Sequence, residues 1–234
     1  MPRPDGPVYS IVVAAGDGTR FGGRKQLAVL GGRTIVSLAV EVVAGLSDGV
    51  VVVVPPDMAD RPRLLDELGL VGLRAEVFTT AGRATRAGSV RAGLDRVPPS
   101  CRHVLVHDAA RPLASAELAA SVLGALAEGA RAVVPGLPLT DTVKRVRDGA
   151  VVGTLERSEL VAVQTPQGFS APLLRRAHAG EPEATDDAGL VEALGEQVVV
   201  VPGEPWNLKV TSPDDLELAS HWSARRQGRV GSTP

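Results

Sequence analysis

The sequence predicts an α/β fold, with a mostly parallel sheet flanked by helices and a β-arm inserted late in the chain. Three observations lead there. Short apolar runs alternate with stretches of helical spacing through most of the 234 residues, the pattern of βαβ units. The run Val50-Val51-Val52-Val53-Val54 is unbroken and β-branched, as suits a strand covered on both faces. From Pro135 to about Gln164 the rhythm changes to short β-prone pieces around Asp148-Gly149, a hairpin signal.

In chain order, Tyr9-Ser10-Ile11-Val12-Val13 reads as a buried strand. The small, basic loop Ala14 to Lys25 follows it. Thr34 is an N-cap for a helix in which Ile35, Leu38, Val42 and Leu46 recur at helical spacing, and Gly45 and Gly49 are stop signals. Pro55-Pro56 ends the Val50–Val54 strand, and Glu76-Val77-Phe78-Thr79 is the third strand. A helix is expected from about Ser89 to Val97, with Ser89 as its cap. Val104-Leu105-Val106 is the next strand, and Ser115 caps a helix to about Glu128. Ala132-Val133-Val134 is a strand stopped by Pro135-Gly136. The arm then uses Thr142–Val146, Ala150–Val152 and Leu160–Val163. Ser212-Pro213-Asp214-Asp215 is a helix start, with a capping hydroxyl, an early proline and acids at the positive helix end. Residues from Arg225 to Pro234 lack apolar periodicity and are expected to fray.

Composition narrows the function classes. Net charge is −2, so no basic field points to nucleic acid. Cys101 is the only cysteine, which permits a reducing compartment. No apolar run spans a bilayer, and the first residues lack a signal-peptide core. A cytoplasmic protein with no membrane partner is the expectation.

The loop Ala14-Ala15-Gly16-Asp17-Gly18-Thr19-Arg20-Phe21-Gly22-Gly23-Arg24-Lys25 carries the strongest chemical signal. Small residues let backbone approach a ligand, successive N–H groups can converge on an anion, and Arg20 and Lys25 add cations. It is not a Walker A loop. Phe21 stands where a dinucleotide fingerprint needs its third glycine, so NAD binding is disfavoured. Alone, the loop is equally well explained as a surface turn with incidental cations.

Val106-His107-Asp108-Ala109-Ala110-Arg111-Pro112 adds an acid and a base just past a buried strand, where open α/β sheets bind ligands. Asp108 can hold Mg²⁺ or substrate hydroxyls and Arg111 can grip a phosphate, or the two can form a local ion pair steadying the turn. Gly82-Arg83-Ala84-Thr85-Arg86-Ala87-Gly88-Ser89 is a second small basic loop, for which capping by Ser89 is the simpler explanation. Lys209 sits inside the apolar, strand-like stretch Trp206–Thr211 and faces either a cleft or solvent. His103, His107, His178 and His221 show no metal-ligand spacing and read as structural or solvated.

Together, and in this order, these motifs resemble those of the 2-C-methyl-D-erythritol 4-phosphate cytidylyltransferases, enzymes of the non-mevalonate isoprenoid pathway. The likeness runs from Ile11 to about Leu218. It rests on Ala14-Ala15-Gly16-x-Gly18-x-Arg20 with Lys25-Gln26, Val106–Pro112, Asp141-Thr142-Val143-Lys144-Arg145, Gln164-Thr165-Pro166-Gln167, Thr185-Asp186-Asp187-Ala188 and Asn207–Thr211. It implies one Rossmann-like nucleotidyltransferase domain over 7–224, with 136–164 as a β-arm and 225–234 as a disordered tail. It also implies a homodimer joined through the arms, CTP and methylerythritol phosphate as substrates, and Mg²⁺ or another divalent cation, with Asp108 as a candidate ligand.

By motif position, the catalytic groups implied are Arg20, Lys25, Arg157 and Lys209. Ala14, Ala15, Gly16, Gly18, Arg20, Lys25, Arg86, Ser89 and Asp108 would surround CTP. Asp108, Arg111, Thr142, Thr185 and Lys209 would hold the acceptor, with Arg157 reaching it from the partner subunit. A phosphate monoester is mostly dianionic at neutral pH, its second pKa being about 6, so the absence of a recognisable general base is expected. The sequence departs from the family pattern at Val13 and Arg24, where prolines are usual, and at Arg83, where glycine is frequent. Arg24 adds a third cation to the loop. Ribitol phosphate and molybdopterin cytidylyltransferases, and a non-catalytic nucleotide-binding module, are the alternatives.

Overall fold

The computed structural model describes residues 3–16, 18 and 21–230, with side chains as far as 225. The chain runs β1 (Val8–Val13), β2 (Val29–Leu30), β3 (Arg33–Thr34), α1 (Ile35–Ala44), β4 (Gly49–Val54), α2 (Pro56–Ala59), α3 (Leu64–Leu68) and β5 (Glu76–Ala81). It continues through α4 (Arg86–Leu94), β6 (His103–Asp108), α5 (Ala116–Ala127), β7 (Ala132–Pro138), β8 (Lys144–Arg147), β9 (Ala150–Thr154) and β10 (Val161–Val163). It ends with β11 (Gln167–Ser170), α6 (Ala171–Ala177), α7 (Asp187–Glu192), β12 (Val199–Pro202) and α8 (Pro213–Val230).

The main sheet has the order β10-β7-β11-β6-β1-β4-β5, and β12 also pairs with β7. β6, β1, β4 and β5 are parallel neighbours. β11 is antiparallel to both β6 and β7, joining the parallel block to β7 and its parallel partner β12. The expected mostly parallel sheet flanked by helices is thus observed.

Alternation along the strands builds two cores. Val50, Val52 and Val54 of β4 join Val36, Val40 and Val43 of α1 and Leu118 and Val122 of α5 on one face. Val51 and Val53 pack on the other face with Val90 of α4, Leu173 and Leu174 of α6, and Val191 of α7. An all-valine strand is the consequence of this two-sided burial. A smaller cluster of Leu30, Ile35, Leu113, Val210 and Ala219 docks α8 and the segment before it.

Some expectations need correction. α4 begins at Arg86, three residues early, because Thr85 is its N-cap and accepts from Gly88 N at 3.0 Å. The Ser89 hydroxyl instead accepts from Arg83 N at 3.0 Å and ties the preceding loop to the helix. β7 continues through Pro135-Gly136 to Pro138, since a Cβ at Gly136 would press to 2.9 Å on both Val161 and Val200, whereas glycine lets those strands close in. Trp206–Thr211 is not a strand but an irregular segment held by Val210 N to Ala110 O at 2.7 Å. α8 is helical through Val230, past Arg225, where fraying was expected to begin. The expected hairpin is present: β8 and β9 pair across Asp148 and Gly149, with φ of 50° and 77°, the positive values that tight hairpin turns require.

Candidate active site

The site forms where the parallel strands end. Ala14 N donates to Val53 O at 2.7 Å, Ala109 N to Val13 O at 3.0 Å, and Gly82 N to Val54 O at 2.7 Å. These bonds carry β1, β5 and β6 one residue past their ends, so the three loops that follow them converge at one edge. Around them lies a cavity of about 500 Å³, lined by Ala14, Ala15, Gly16, Lys25, Gln26, Gly82 to Arg86, Ser89, Asp108 and Lys209, among others. A second cavity, about 230 Å³, is lined by Arg86, Asp108, Arg111, Gln164, Thr165, Gln167, Thr185, Asp186 and Lys209, with Val163. Arg86, Asp108 and Lys209 belong to both.

These three side chains form a charged partition. Asp108 Oδ1 accepts from Arg86 Nε at 3.1 Å, and Asp108 Oδ2 lies 2.7 Å from Lys209 Nζ. Burial alone would raise the Asp108 carboxyl; Arg86, then Lys209 and Arg111, outweigh burial and hold it well below the ordinary carboxylate range. Burial by itself would lower the Arg86 guanidinium, but Asp108 and Asp187 together raise it. The expected alternative of a local Asp108–Arg111 pair is not formed. Arg111 instead donates to Asn207 O at 2.7 Å and Val163 O at 3.3 Å, because its fork matches two backbone carbonyls across the turn.

The turn after β6 is braced by Thr165. Its hydroxyl accepts from Asp108 N at 3.0 Å and lies 2.9 Å from His107 Nδ1. Asn207 is buried and donates to Thr165 O at 3.0 Å, while Gln164 Nε2 donates to Glu204 O at 2.8 Å. The Gln164-to-Gln167 and Asn207-to-Lys209 segments are thereby locked onto the end of β6 that carries Asp108.

In the first loop Gly18 has φ of +67°, and a Cβ there would strike the Gly23 backbone. Lys25 lines the larger cavity and its Nζ donates to Val210 O at 3.5 Å. Arg24, which would add a third cation, turns away and pairs with Asp57 of α2. Arg83 likewise faces Asp95 and Glu181. Arg20 lies outside the described residues.

Of the residues proposed for the nucleotide, Ala14, Ala15, Gly16, Lys25, Arg86, Ser89 and Asp108 line the larger cavity. Asp108, Arg111, Thr185 and Lys209 line the smaller one. Thr142 and Arg157 line neither. Both are exposed on the arm, where Arg157 donates to Thr140 O. Sequence reasoning did not single out Asp187 and His178, which hold Arg86 from behind (Arg86 Nη1 to Asp187 Oδ2 2.8 Å; His178 Nε2 to Asp187 Oδ1 2.9 Å). Asp187 lies within a quoted motif, but its partners are too far away in sequence for spacing to reveal them.

Among the described residues no group of three or more His, Cys, Asp or Glu side chains could hold a metal. Asp108 is the one carboxylate among the described residues lining the larger cavity. That donor set suits a Mg²⁺ held chiefly by phosphate oxygens with a single carboxylate contact, rather than a protein cage.

Residues 8–224 match the family model described as 2-C-methyl-D-erythritol 4-phosphate cytidylyltransferase. The protein of that description from Rhodococcus opacus is 51% identical over 225 residues, covering 94% of this chain and 96% of the relative. The solved 4-diphosphocytidyl-2C-methyl-D-erythritol synthase of Anaerococcus prevotii superposes with a TM-score of 0.80 at 30% identity, covering 94% of this chain and 99% of its own. The 2-C-methyl-D-erythritol 4-phosphate cytidylyltransferase of Thermus thermophilus gives 0.75 at 38% identity, covering 92% and 98%.

Proposed function

The chain belongs to the 2-C-methyl-D-erythritol 4-phosphate cytidylyltransferase family, and we propose from its site how the two substrates of that reaction are held. The enzyme transfers a cytidylyl group from CTP to 2-C-methyl-D-erythritol 4-phosphate and releases pyrophosphate. The observation that carries the assignment of its parts is the pair of cavities sharing the Arg86, Asp108 and Lys209 wall. In this reading the 500 Å³ cavity takes CTP and the 230 Å³ cavity takes the acceptor, so the two phosphates meet at the partition.

An acceptor phosphate oxygen attacks the α-phosphorus of CTP, a new O–P bond forms, and the bond to the bridging oxygen of pyrophosphate breaks. The leaving group takes the electron pair. No proton need be removed, since the attacking phosphate is already ionised. The protein's part is to align two polyanions and oppose the charge that grows on the bridging and non-bridging oxygens. Lys25 and Arg20 act on the α-phosphate, with the Ala14-Ala15-Gly16 and Gly18 backbone against the triphosphate and Ser89 keeping the Gly82–Arg86 loop closed. Lys209 and Arg111 hold the acceptor phosphate side, and Asp108 and Thr185 its hydroxyls. Asp108 would be the carboxylate to hold a Mg²⁺ ion, which would supply further charge neutralisation when bound.

We assign Thr142 and Arg157 to the neighbouring subunit's acceptor pocket in a homodimer. The support is the arm itself, with exposed Val146, Val151 and Val152, an apolar surface suited to a second copy. One unit spanning 7–224 then carries the donor cavity, with 136–164 reaching to the partner. No helix among the described residues is long and apolar enough to cross a membrane. A single buried cysteine suits the cytoplasm as the compartment.

Pyrophosphate release is the direct assay. With Mg²⁺ and CTP, release is expected with methylerythritol phosphate and not with ribitol phosphate; no release with the former refutes the reading. For the shared site, Lys25→Ala and Arg157→Ala proteins are each expected to be nearly inactive. Mixing them under subunit exchange should restore activity, because one heterodimer site then holds both residues. No recovery on mixing rules out the shared acceptor pocket.

A further inference from the structure

The acids Asp186 and Asp187 sit side by side yet do different things. Asp186 caps α7, accepting from Gly189 N at 3.0 Å, and receives Gln167 Nε2 at 2.8 Å. Asp187 is fully buried and divides its carboxylate between the Arg86 and His178 contacts described above. His178 is itself buried. Stability does not explain such a buried ionic group, since apolar replacements of buried ion pairs are often neutral or stabilising.

Arg86 is the side chain that the arrangement serves. Arginine has many rotamers, and one carboxylate partner would leave the guanidinium free to pivot. Two carboxylates from separate elements, Asp108 at the end of β6 and Asp187 in α7, occupy Nε and Nη1 and fix its plane. Nη2 is buried and has no protein partner among the described residues. Arg86 itself lines both cavities, and Nη2 is the guanidinium nitrogen that no carboxylate already holds.

We propose that Asp187 is a positioning residue for cytidylyl transfer, clamping Arg86 at the seam, and that His178 in turn orients Asp187. The proposal rests on the reading of Arg86 as a phosphate-facing group shared by both cavities. It adds a relay, His178 to Asp187 to Arg86, running from the end of α6 to the wall shared by the two cavities. Neither His178 nor Asp187 lines the donor or acceptor cavity, so any effect on turnover passes through Arg86.

A double-mutant cycle on the full chain tests it. Asp187→Asn should lower kcat/KM about 10- to 100-fold, the scale of a misplacement near 1 Å, with KM rising for both substrates. Arg86→Ala should lose at least as much. The double variant should be no worse than Arg86→Ala within about threefold, because coupled residues are non-additive. His178→Gln, which keeps a donor for Asp187, should stay close to wild type while His178→Ala loses activity. Leu190→Ala on the same helix serves as the structural control, with a lowered thermal midpoint and unchanged KM values. If Asp187→Asn fails to fold, as judged by circular dichroism, His178→Ala takes its place in the cycle with the same expected non-additivity. Multiplicative losses in the double variant, or wild-type kcat and KM in Asp187→Asn, overturn the clamp. Full activity in Arg86→Ala overturns the reading of the site itself.

Discussion

Lowering the pH should destabilise this protein through His107 before the charged partition is touched. His107 is fully buried, with Nδ1 at the Thr165 hydroxyl and Nε2 without a partner among the described residues. Burial pushes its imidazole down from 6.5 to about 4, and the neighbouring Asp108 only partly opposes that shift. The unfolded chain therefore takes up a proton on this residue as pH falls below 6.5, while the folded chain resists until about 4. Because the unfolded state binds more protons in that window, stability declines with falling pH across it. With 1.36 kcal/mol for each pKa unit, the loss by pH 4 is about 3 kcal/mol. Urea unfolding of the wild type and His107→Asn at several pH values isolates this contribution, since other groups titrate in both. The variant starts less stable at pH 7.5, and the gap should narrow by about 3 kcal/mol as pH approaches 4. A gap that stays constant between pH 7 and 4 refutes the buried, neutral imidazole.

Three further outcomes follow from the geometry. A Cβ at Gly82 would overlap that of Ala15 and come within 3.0 Å of Ser89 Oγ, so Gly82→Ala should displace the first loop and lower kcat/KM about 100-fold, read by pyrophosphate release. Lys25→Ala should cost about 3 kcal/mol of transition-state stabilisation with the fold retained, whereas Arg24→Ala should keep near-normal turnover because Arg24 is committed to Asp57; equal losses would refute that division. Arg111→Lys should raise KM for the acceptor about 10-fold or more, since lysine cannot span the Asn207 and Val163 carbonyls; acceptor titrations check this.

Much of the parallel block was legible because its strands bury both faces, leaving β-branched runs at β1, β4 and β6 that no other element would need. β11 was not. Gln167-Gly168-Phe169-Ser170 has little strand character of its own, and its pairing comes from the gap between β6 and β7 that it fills. β12 was hidden for a similar reason, half-exposed at the edge beside β7. In the site, chemistry carried by loops next to strands was visible, as with Asp108 and Lys25. Ser89 was read as a cap because a hydroxyl at a helix start usually is one, and only the position of Thr85 shows otherwise. The Asp187–His178 support was illegible because a buried carboxylate earns its meaning from Arg86, 101 positions away.

The partition of Arg86, Asp108 and Lys209 has a thermodynamic consequence. Because one set of charges forms a wall of both cavities, a guest in either changes the field and the side-chain freedom met by the other. With CTP in one cavity and the acceptor in the other, as proposed above, the two substrate affinities are linked, and linkage is reciprocal: whatever factor bound CTP imposes on the acceptor, the bound acceptor must impose on CTP. In that sense the wall is also a meter, through which each half of the site registers whether the other is filled.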